Sequence, residues 1–226
     1  MKKKKNKKSV KRNFKLLLLL FFTIIAAFVI DEISEKRLRD QAITLIKSYP
    51  SEEVEAYAPV IQKKLDEVEL GKYTAVVAAI MQQESRGKGG DPMQASESIG
   101  LPPNSITNPE ESIDAGIKHF ARTVKYGEEK NVDFPTVIQA YNMGTGYIDY
   151  VASRGGKHSE NIAKEFSALQ VQKNPDKYNC GGDKNNFRSP YCYGDFTYAT
   201  KVQKNIQVFT AKNHDIEFEN PEKAGS

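Results

Sequence analysis

A glutamate at the end of an apolar helix is the first residue whose position suggests chemistry. A helix is predicted to begin near Lys72 and to run through TAVVAAIMQQES to Ser85. Val76, Ile80 and Glu84 follow at four-residue spacing, so the carboxyl group projects from the apolar face. Apolar surroundings and the negative end of the helix dipole both disfavour a carboxylate, which predicts a raised pKa. A carboxylic acid that is protonated near neutral pH suits general-acid catalysis, such as protonation of a glycosidic oxygen. The alternative is an ordinary solvated helix-end glutamate.

The segment after Glu84 has the composition of a binding loop. The glycine-rich residues 87–90 leave the backbone free to turn and let a ligand approach closely. Asp91 follows seven residues after Glu84, and such a turn brings a second carboxylate back toward the first. A row of polar side chains then provides hydrogen bonds for sugar hydroxyl and acetamido groups: Gln94, Ser96, Glu97 and Ser98.

Two aromatic side chains flank a glycine-rich turn further along the chain. Tyr141 and Tyr147 lie in AYNMGTGYI, residues 140–148. Aromatic rings beside a polar cleft stack on sugar rings, whereas the same two tyrosines in a protein core only pack. The sequence leaves both interpretations open.

The elements that must position these residues are predicted to be helices. Ser51-Glu-Glu is a capping-type helix start, and Asn108 followed by Pro109 is another. No alternating strand pattern longer than four residues is found, so the fold class is mainly α. The predicted helices are 51–71, 72–85, one from 108 onward, 134–142, 147–153, 158–172 and 198–210.

The N-terminus has the pattern of a secretory signal or membrane anchor. Residues 1–30 hold nine Lys and Arg and no acid, and residues 16–30 are uncharged and mostly apolar. A helix of that length reaches roughly 22 Å, short of a hydrocarbon core of about 30 Å, unless flanking cations extend to the headgroups. No clean cleavage pattern follows. We therefore expect an uncleaved anchor with the body outside the cell membrane, and secretion after cleavage is the alternative.

The rest of the chain is acidic. Residues 31–226 carry 24 basic and 29 acidic residues, a net charge of −5, which argues against nucleic-acid binding. The expected organisation is a basic cytoplasmic segment (1–15), a signal-anchor or transmembrane segment (16–30), a helical stalk (31–50), one folded domain (51–213) and a flexible tail (214–226).

The two cysteines and three histidines do not suggest a cofactor site. Cys180 and Cys192 lie in one turn-rich segment, and in an oxidising compartment they are expected to form a disulfide. His119, His158 and His214 have no motif spacing and are expected to be ordinary surface or core residues. No metal, nucleotide or redox cofactor is indicated.

These motifs together resemble the bacterial lysozyme-like muramidase domain of the goose-type lysozyme and lytic transglycosylase superfamily. The resemblance rests on the order and separation of QES, GDPMQASES, GIKHF and AYNMGTGY, and it covers about residues 53–209. It implies a single lysozyme-like domain in a membrane-anchored or secreted cell-wall hydrolase. It also implies a place near a conjugation or secretion complex, if the chain is encoded in a mobile element.

Roles for individual residues follow from the resemblance. Glu84 is the general acid for the β-1,4 bond after N-acetylmuramic acid, and Asp91 matches the acidic position expected to supply a second carboxylate. The saccharide cleft is lined by Gln94, Ser96, Tyr141 and Asn142. Tyr141 is expected to hold the Glu84 side chain or an acetamido group. The chain ends at Ser226 without the cysteine endopeptidase domain of two-domain relatives, so we expect cleavage of glycan and not of peptide stems.

Three functions remain open at this level. A muramidase would use Glu84 as acid, with Asp91 as base or cation stabiliser. A lytic transglycosylase would use Glu84 alone and form a 1,6-anhydro end. A non-catalytic scaffold would use the cleft only to bind peptidoglycan glycan strands. An inverting hydrolase is favoured if the two carboxyl groups lie about 6.5–9.5 Å apart, a distance that the sequence does not give.

Overall fold

The computed structural model describes residues 21, 23–25, 28–38 and 50–212. The chain divides into two compact units, Met1–Ser48 and Tyr49–Ser226. In the first unit the described residues are helical and their side chains are exposed. The predicted segments 1–15 and 214–226, most of 16–30, and residues 39–49 of the stalk lie outside the described residues. Within the described part of the chain, no helix has both the length and the apolar character needed to cross a membrane.

The second unit is helical, which confirms the predicted fold class. No strand occurs among residues 50–212. Short 3-10 turns occur at Gly71–Tyr73, Ser96–Ile99 and Cys180–Gly182. The α-helices described in this unit are α1 (Glu52–Asp66), α2 (Thr74–Glu84), α3 (Pro109–Glu129), α4 (Phe134–Met143), α5 (Gly146–Ala152), α6 (Glu160–Lys173) and α7 (Tyr198–Lys212).

The predicted helix starts are confirmed, but the predicted end of the first helix is wrong. The Ser51 hydroxyl accepts a hydrogen bond from the Val54 backbone, and the Asn108 side chain accepts one from Glu110. Helix α1 ends at Asp66 and not at Gly71, because the Leu70 N–H returns to the Leu65 carbonyl at 2.9 Å. That closed turn ends the helix before the glycine is reached.

Helix α2 lies at the centre of the unit. Its residues from Thr74 to Gln82 are all buried, and it packs against α1 and α7. An apolar character on every side is typical of a helix surrounded by protein. Each fully buried Ile or Met side chain contributes roughly 1.5–3 kcal/mol, so this helix has little freedom to shift. Glu84, its last residue, therefore has a firmly fixed backbone.

Candidate active site

A cavity of about 540 Å³ lies at the C-terminal end of α2, and Glu84 is in its wall. Five of the six predicted catalytic and saccharide-binding residues line it, and Asp91 does not. The complete lining is Glu84, Gln94, Ser96, Glu97, Ser98, Pro103, Asn104, His119, Tyr141, Asn142, Gly144, Lys177, Tyr178, Tyr193 and Gly194.

The end of α2 that carries Glu84 is tied to the start of α1. The Ser51 backbone N–H donates to Oε1 of Gln82 at 3.0 Å, and the Ser51 hydroxyl lies 2.7 Å from the Arg86 carbonyl. Arg86 itself has a positive φ of 59°, so the chain leaves the helix directly after Glu84. The carboxyl group therefore projects from a fixed helix end into the cavity wall.

The surroundings of Glu84 favour its protonated form. Burial raises the pKa of Glu84 to about 7, against the opposing effect of a hydrogen bond from Tyr198, and the negative charges of Asp91 and Asp195 raise it further. Near neutral pH a large fraction of this group is therefore the neutral acid. The raised pKa predicted for Glu84 from the sequence agrees with this environment.

Tyr198 contacts the acid directly, and this residue was not predicted from the sequence. Its hydroxyl donates to Oε1 of Glu84 at 2.5 Å, and its side chain is only 2% exposed. Buried Gln139 fixes the start of α7, because its amide donates to the Asp195 carbonyl and accepts from the Ala199 N–H. Nothing in the sequence near Tyr198 signals this role, since its partner is 114 residues away.

Asp91 is buried behind the cavity and organises the loop. Its Oδ1 accepts from the Ser112 hydroxyl at 2.6 Å and the Ala95 N–H at 2.9 Å. Its Oδ2 accepts from the Ser96 hydroxyl at 2.5 Å and the Ser96 N–H at 3.1 Å. Burial acts to raise the pKa of Asp91, but these donors outweigh it and hold the pKa below its usual range. Asp91 is thus a carboxylate at neutral pH, and both of its oxygens are occupied.

Gln94 and Ser96 are held by the same loop. The Ser96 hydroxyl also accepts from the Ser105 and Ile106 N–H groups, so its hydrogen-bonding capacity is used within the protein. Gln94 is exposed, and its amide donates to Asn104 Oδ1 at 2.9 Å. Of these two residues, Gln94 is the one whose side chain is accessible to a ligand.

Tyr141 presents its ring to the cavity, but its hydroxyl does not reach the acid. The hydroxyl donates to the Met93 carbonyl at 3.0 Å, which holds the loop against α4. The ring is parallel to that of Tyr198, with centroids 6.5 Å apart. The predicted contact between Tyr141 and Glu84 is thus made by Tyr198 instead. Tyr147 is fully buried away from the cavity, where its hydroxyl pairs with Nδ1 of His158.

Asn142 and His119 complete the wall next to Tyr141. Oδ1 of Asn142 accepts from the Asp195 N–H at 2.7 Å, which leaves its amide NH₂ group for a ligand. His119 was expected to be an ordinary residue, yet it lines the cavity. Its Nε2–H donates to the Tyr141 carbonyl at 2.9 Å. Burial lowers the pKa of His119, so the ring is neutral near pH 7.

The predicted disulfide between Cys180 and Cys192 is confirmed, and it lies next to one wall of the cavity. The wall residues Lys177 and Tyr178 precede Cys180, and Tyr193 and Gly194 follow Cys192. The rings of Tyr178 and Tyr193 meet edge to face at 4.8 Å.

Tyr193 ties that wall to the helices beneath it. Its N–H donates to the buried Ser167 hydroxyl, and its own hydroxyl donates to the Met143 carbonyl at 2.9 Å. The two cysteines were the only sequence signal for this wall. Among the residues that the structure describes, no group of three or more His, Cys, Asp or Glu side chains is arranged to hold a metal ion.

Comparison with known proteins gives a family match and several relatives. A family model described as lysozyme-like matches residues 51–206. The chain is 46% identical over 195 residues to the "uncharacterized membrane protein YocA" of Bacillus subtilis. The aligned region covers 86% of this chain and 84% of that protein.

Two further similarities cover part of a longer protein. The chain is 46% identical over 121 residues to the "bifunctional muramidase/DL-endopeptidase CwlT" of Bacillus subtilis, over 54% of this chain and 36% of CwlT. A Staphylococcus aureus crystal structure, described as similar to a lipoprotein of the NLP/P60 family, matches with a TM-score of 0.60 and 37% identity. That match covers 76% of this chain and 57% of the other.

Proposed function

Because the chain belongs to the lysozyme-like family, we propose that it is a cell-wall hydrolase, and specifically an N-acetylmuramidase. The proposed reaction is hydrolysis of the β-1,4 bond between N-acetylmuramic acid and N-acetylglucosamine in peptidoglycan. The observation that carries the proposal is the Glu84 carboxyl group, which lies in the wall of a large cavity with a pKa raised to about 7. CwlT, to which this chain is similar over 121 residues, is named as a muramidase, and this name supports the same substrate class.

In the proposed mechanism, protonated Glu84 donates its proton to the glycosidic oxygen. The bond between that oxygen and the muramyl C1 then breaks, and positive charge develops on the sugar ring. Water adds to C1 and releases its proton to solvent, Glu84 takes a proton back from solvent, and the product has a reducing muramic end. Tyr198 holds the Glu84 carboxyl group in one orientation throughout, so the acid is positioned before the substrate arrives.

Asp91 is proposed as a positioning residue and a source of negative charge. Its two oxygens already accept four hydrogen bonds, so it is poorly suited to take a proton from water. Its charge helps to keep Glu84 protonated and acts to stabilise positive charge that forms nearby. The loop that Asp91 organises also carries Gln94 into the cavity.

The same occupancy of Asp91 favours a second candidate, a lytic transglycosylase. With no free second carboxylate, Glu84 would act first as acid and then as base, taking the proton from the muramyl 6-hydroxyl. That oxygen would attack C1 and form a 1,6-anhydro end. A cysteine-peptidase reaction is not supported within this chain, because its two cysteines are joined in a disulfide.

Mass analysis of fragments released from purified peptidoglycan tests the proposal. The full chain is compared with Glu84→Gln under the same conditions. Reducing muramic ends that are absent from the variant digest would support the muramidase. Fragments lighter by one water would identify a transglycosylase instead. If neither protein releases fragments, the enzyme proposal is wrong, and glycan binding by a scaffold becomes the better explanation.

We further propose that residues 16–30 anchor the protein in the cell membrane. Residues 51–213 would form the catalytic domain outside that membrane. The basic residues 1–15 would stay in the cytoplasm, with 31–50 as stalk and 214–226 as tail. The similarity to a relative named as a membrane protein, over 86% of this chain, supports the anchor. Recovery of the chain in the membrane fraction at its full mass tests it. A place in a conjugation or secretion complex stays a prediction.

A further inference from the structure

We propose that Lys177, supported by Tyr178, binds a carboxylate of the substrate and so selects muramyl-containing glycans. The inference rests on the proposed function, because it names the part of the substrate that one wall of the same cavity recognises. The group is either the lactyl carboxylate of the muramyl unit or an acidic group of the attached peptide stem. Neither group occurs in a glycan made only of N-acetylglucosamine.

The first observation is the charge of the cavity wall. The ionisable groups that line it are the acids Glu84 and Glu97, a neutral His119 and one cation, Lys177. A neutral sugar polymer does not require a lysine in this position, whereas an anionic substituent would pair with it.

The second observation is that the Lys177 ammonium forms no ion pair with the residues that the structure describes. The ion pairs among residues 50–212 use Lys64, Lys130 and Lys201. Lys177 Nζ instead lies over the ring of Tyr178, 5.3 Å from the ring centroid. An ammonium over an aromatic face is oriented without being neutralised, so it keeps its charge for a ligand.

The third observation is that this wall is fixed in place. Tyr178 packs edge to face on Tyr193, which is hydrogen-bonded to Ser167 and Met143. The disulfide joins the chain just after Tyr178 to the chain just before Tyr193. A binding group on an ordered wall loses less conformational freedom when a ligand binds than one on a loose loop.

Binding measurements in the Glu84→Gln background test the inference without turnover. The probes are stem-free muramyl oligosaccharides, the same compounds with the lactyl carboxylate amidated, stem-bearing oligosaccharides, and oligomers of N-acetylglucosamine. Lys177→Ala is compared with Lys177→Arg, which keeps the charge. Lys184→Ala is the matched control, since Lys184 is an exposed lysine inside the disulfide loop that does not line the cavity.

We expect Lys177→Ala to weaken binding of the carboxylate-bearing probe about three- to tenfold, with the loss reduced at high salt. Lys177→Arg should bind within about twofold of the parent, and Lys184→Ala should bind like the parent. A loss on stem-free glycan that disappears on amidation identifies the lactyl carboxylate. A loss found only on stem-bearing glycan identifies the stem.

Equal binding of every probe by Lys177→Ala and the parent would overturn the inference. So would an equal loss for all probes, N-acetylglucosamine oligomers included, because that pattern marks a structural effect. Cleavage is measured separately with the full chain carrying Glu84. If the full chain cleaves peptidoglycan but Lys177→Ala binds every probe like the parent, only this inference is wrong. If Lys177→Ala weakens binding but the full chain does not cleave, only the proposed enzyme activity is wrong.

Discussion

The hydroxyl of Tyr198 donates a hydrogen bond to Oε1 of Glu84 at 2.5 Å, between residues 114 positions apart. This bond joins the first residue of α7 to the last residue of α2, the two helices that pack together in the core. It has two opposite effects on the proposed acid. It fixes the position of the carboxyl group, and it lowers a pKa that burial raises. The two effects are separable by experiment.

Tyr198→Phe should reduce kcat about tenfold and shift the alkaline limb of the pH–activity profile to higher pH. The hydroxyl stabilises the Glu84 carboxylate, so its removal raises the pKa and keeps the acid protonated to higher pH. The measurement is kcat against pH. Tyr147→Phe is the control, because that buried hydroxyl pairs with His158 outside the cavity. An unmoved alkaline limb in Tyr198→Phe would contradict the proposed coupling.

Glu84→Gln should abolish cleavage and make the fold more stable at high pH. The folded pKa of Glu84, about 7, lies above its ordinary value of 4.5, so ionisation disfavours the folded state. That penalty is complete above about pH 7 and absent below about pH 4.5. We expect a gain of the order of 3 kcal/mol at pH 8 and little gain at pH 4, measured by urea unfolding.

Glu97→Gln is the matched control for that experiment, since Glu97 is an exposed acid in the same cavity wall. It should change stability by less than about 0.5 kcal/mol at either pH. A pH-independent effect of Glu84→Gln would mean that the carboxyl group is not held in its protonated form.

Asp91→Asn should destabilise the fold by about 2–4 kcal/mol and reduce activity with it. An amide nitrogen cannot accept the bonds that the second carboxylate oxygen accepts now. The folded pKa of Asp91 is lowered, so its contribution to stability is present above its ordinary pKa of 3.8 and is lost as the pH falls through the folded pKa. Unfolding and specific activity are measured together.

Ser112→Ala separates the two roles considered for Asp91. It removes one donor to Oδ1 and leaves the carboxylate in place. If Asp91 positions the loop, Ser112→Ala should lose both stability and activity, as Asp91→Asn does, but to a smaller extent. Full stability of Asp91→Asn with loss of all activity would instead identify Asp91 as the general base.

Replacement of both Cys180 and Cys192 by serine should raise KM several-fold and leave kcat within about twofold. The disulfide joins the two chain segments that carry the wall residues on either side of it, whereas Glu84 and Tyr198 lie on α2 and α7. KM and kcat are measured with and without reductant. Reductant should raise the KM of the parent by a similar factor and should not change the KM of the double variant further. Equal kinetics in all four conditions would show that the wall does not need the bond.

The sequence by itself determined the helices and the candidate acid. The apolar segment around α2, the caps Ser51 and Asn108, and the polar loop after Glu84 are all encoded by neighbouring residues, which is why pattern and spacing find them. The pairing of Cys180 with Cys192 followed from their being the two cysteines of one turn-rich segment. The raised pKa of Glu84 followed from its place at the end of an apolar helix.

Only the tertiary structure decided what surrounds that acid. The packing of α2 against α7 puts Tyr198, and not Tyr141, on Glu84, and the loop folds Asp91 inward onto Ser96 and Ser112. Glu84 and Tyr198 are 114 residues apart, and Asp91 and Ser112 are 21 apart. Hydrogen-bond partners at such separations leave no local periodicity. A carboxylate seven residues from the acid was expected to face it, but four nearby donors hold it more strongly than the cavity can, because a buried charge is stable only where its hydrogen bonds are satisfied.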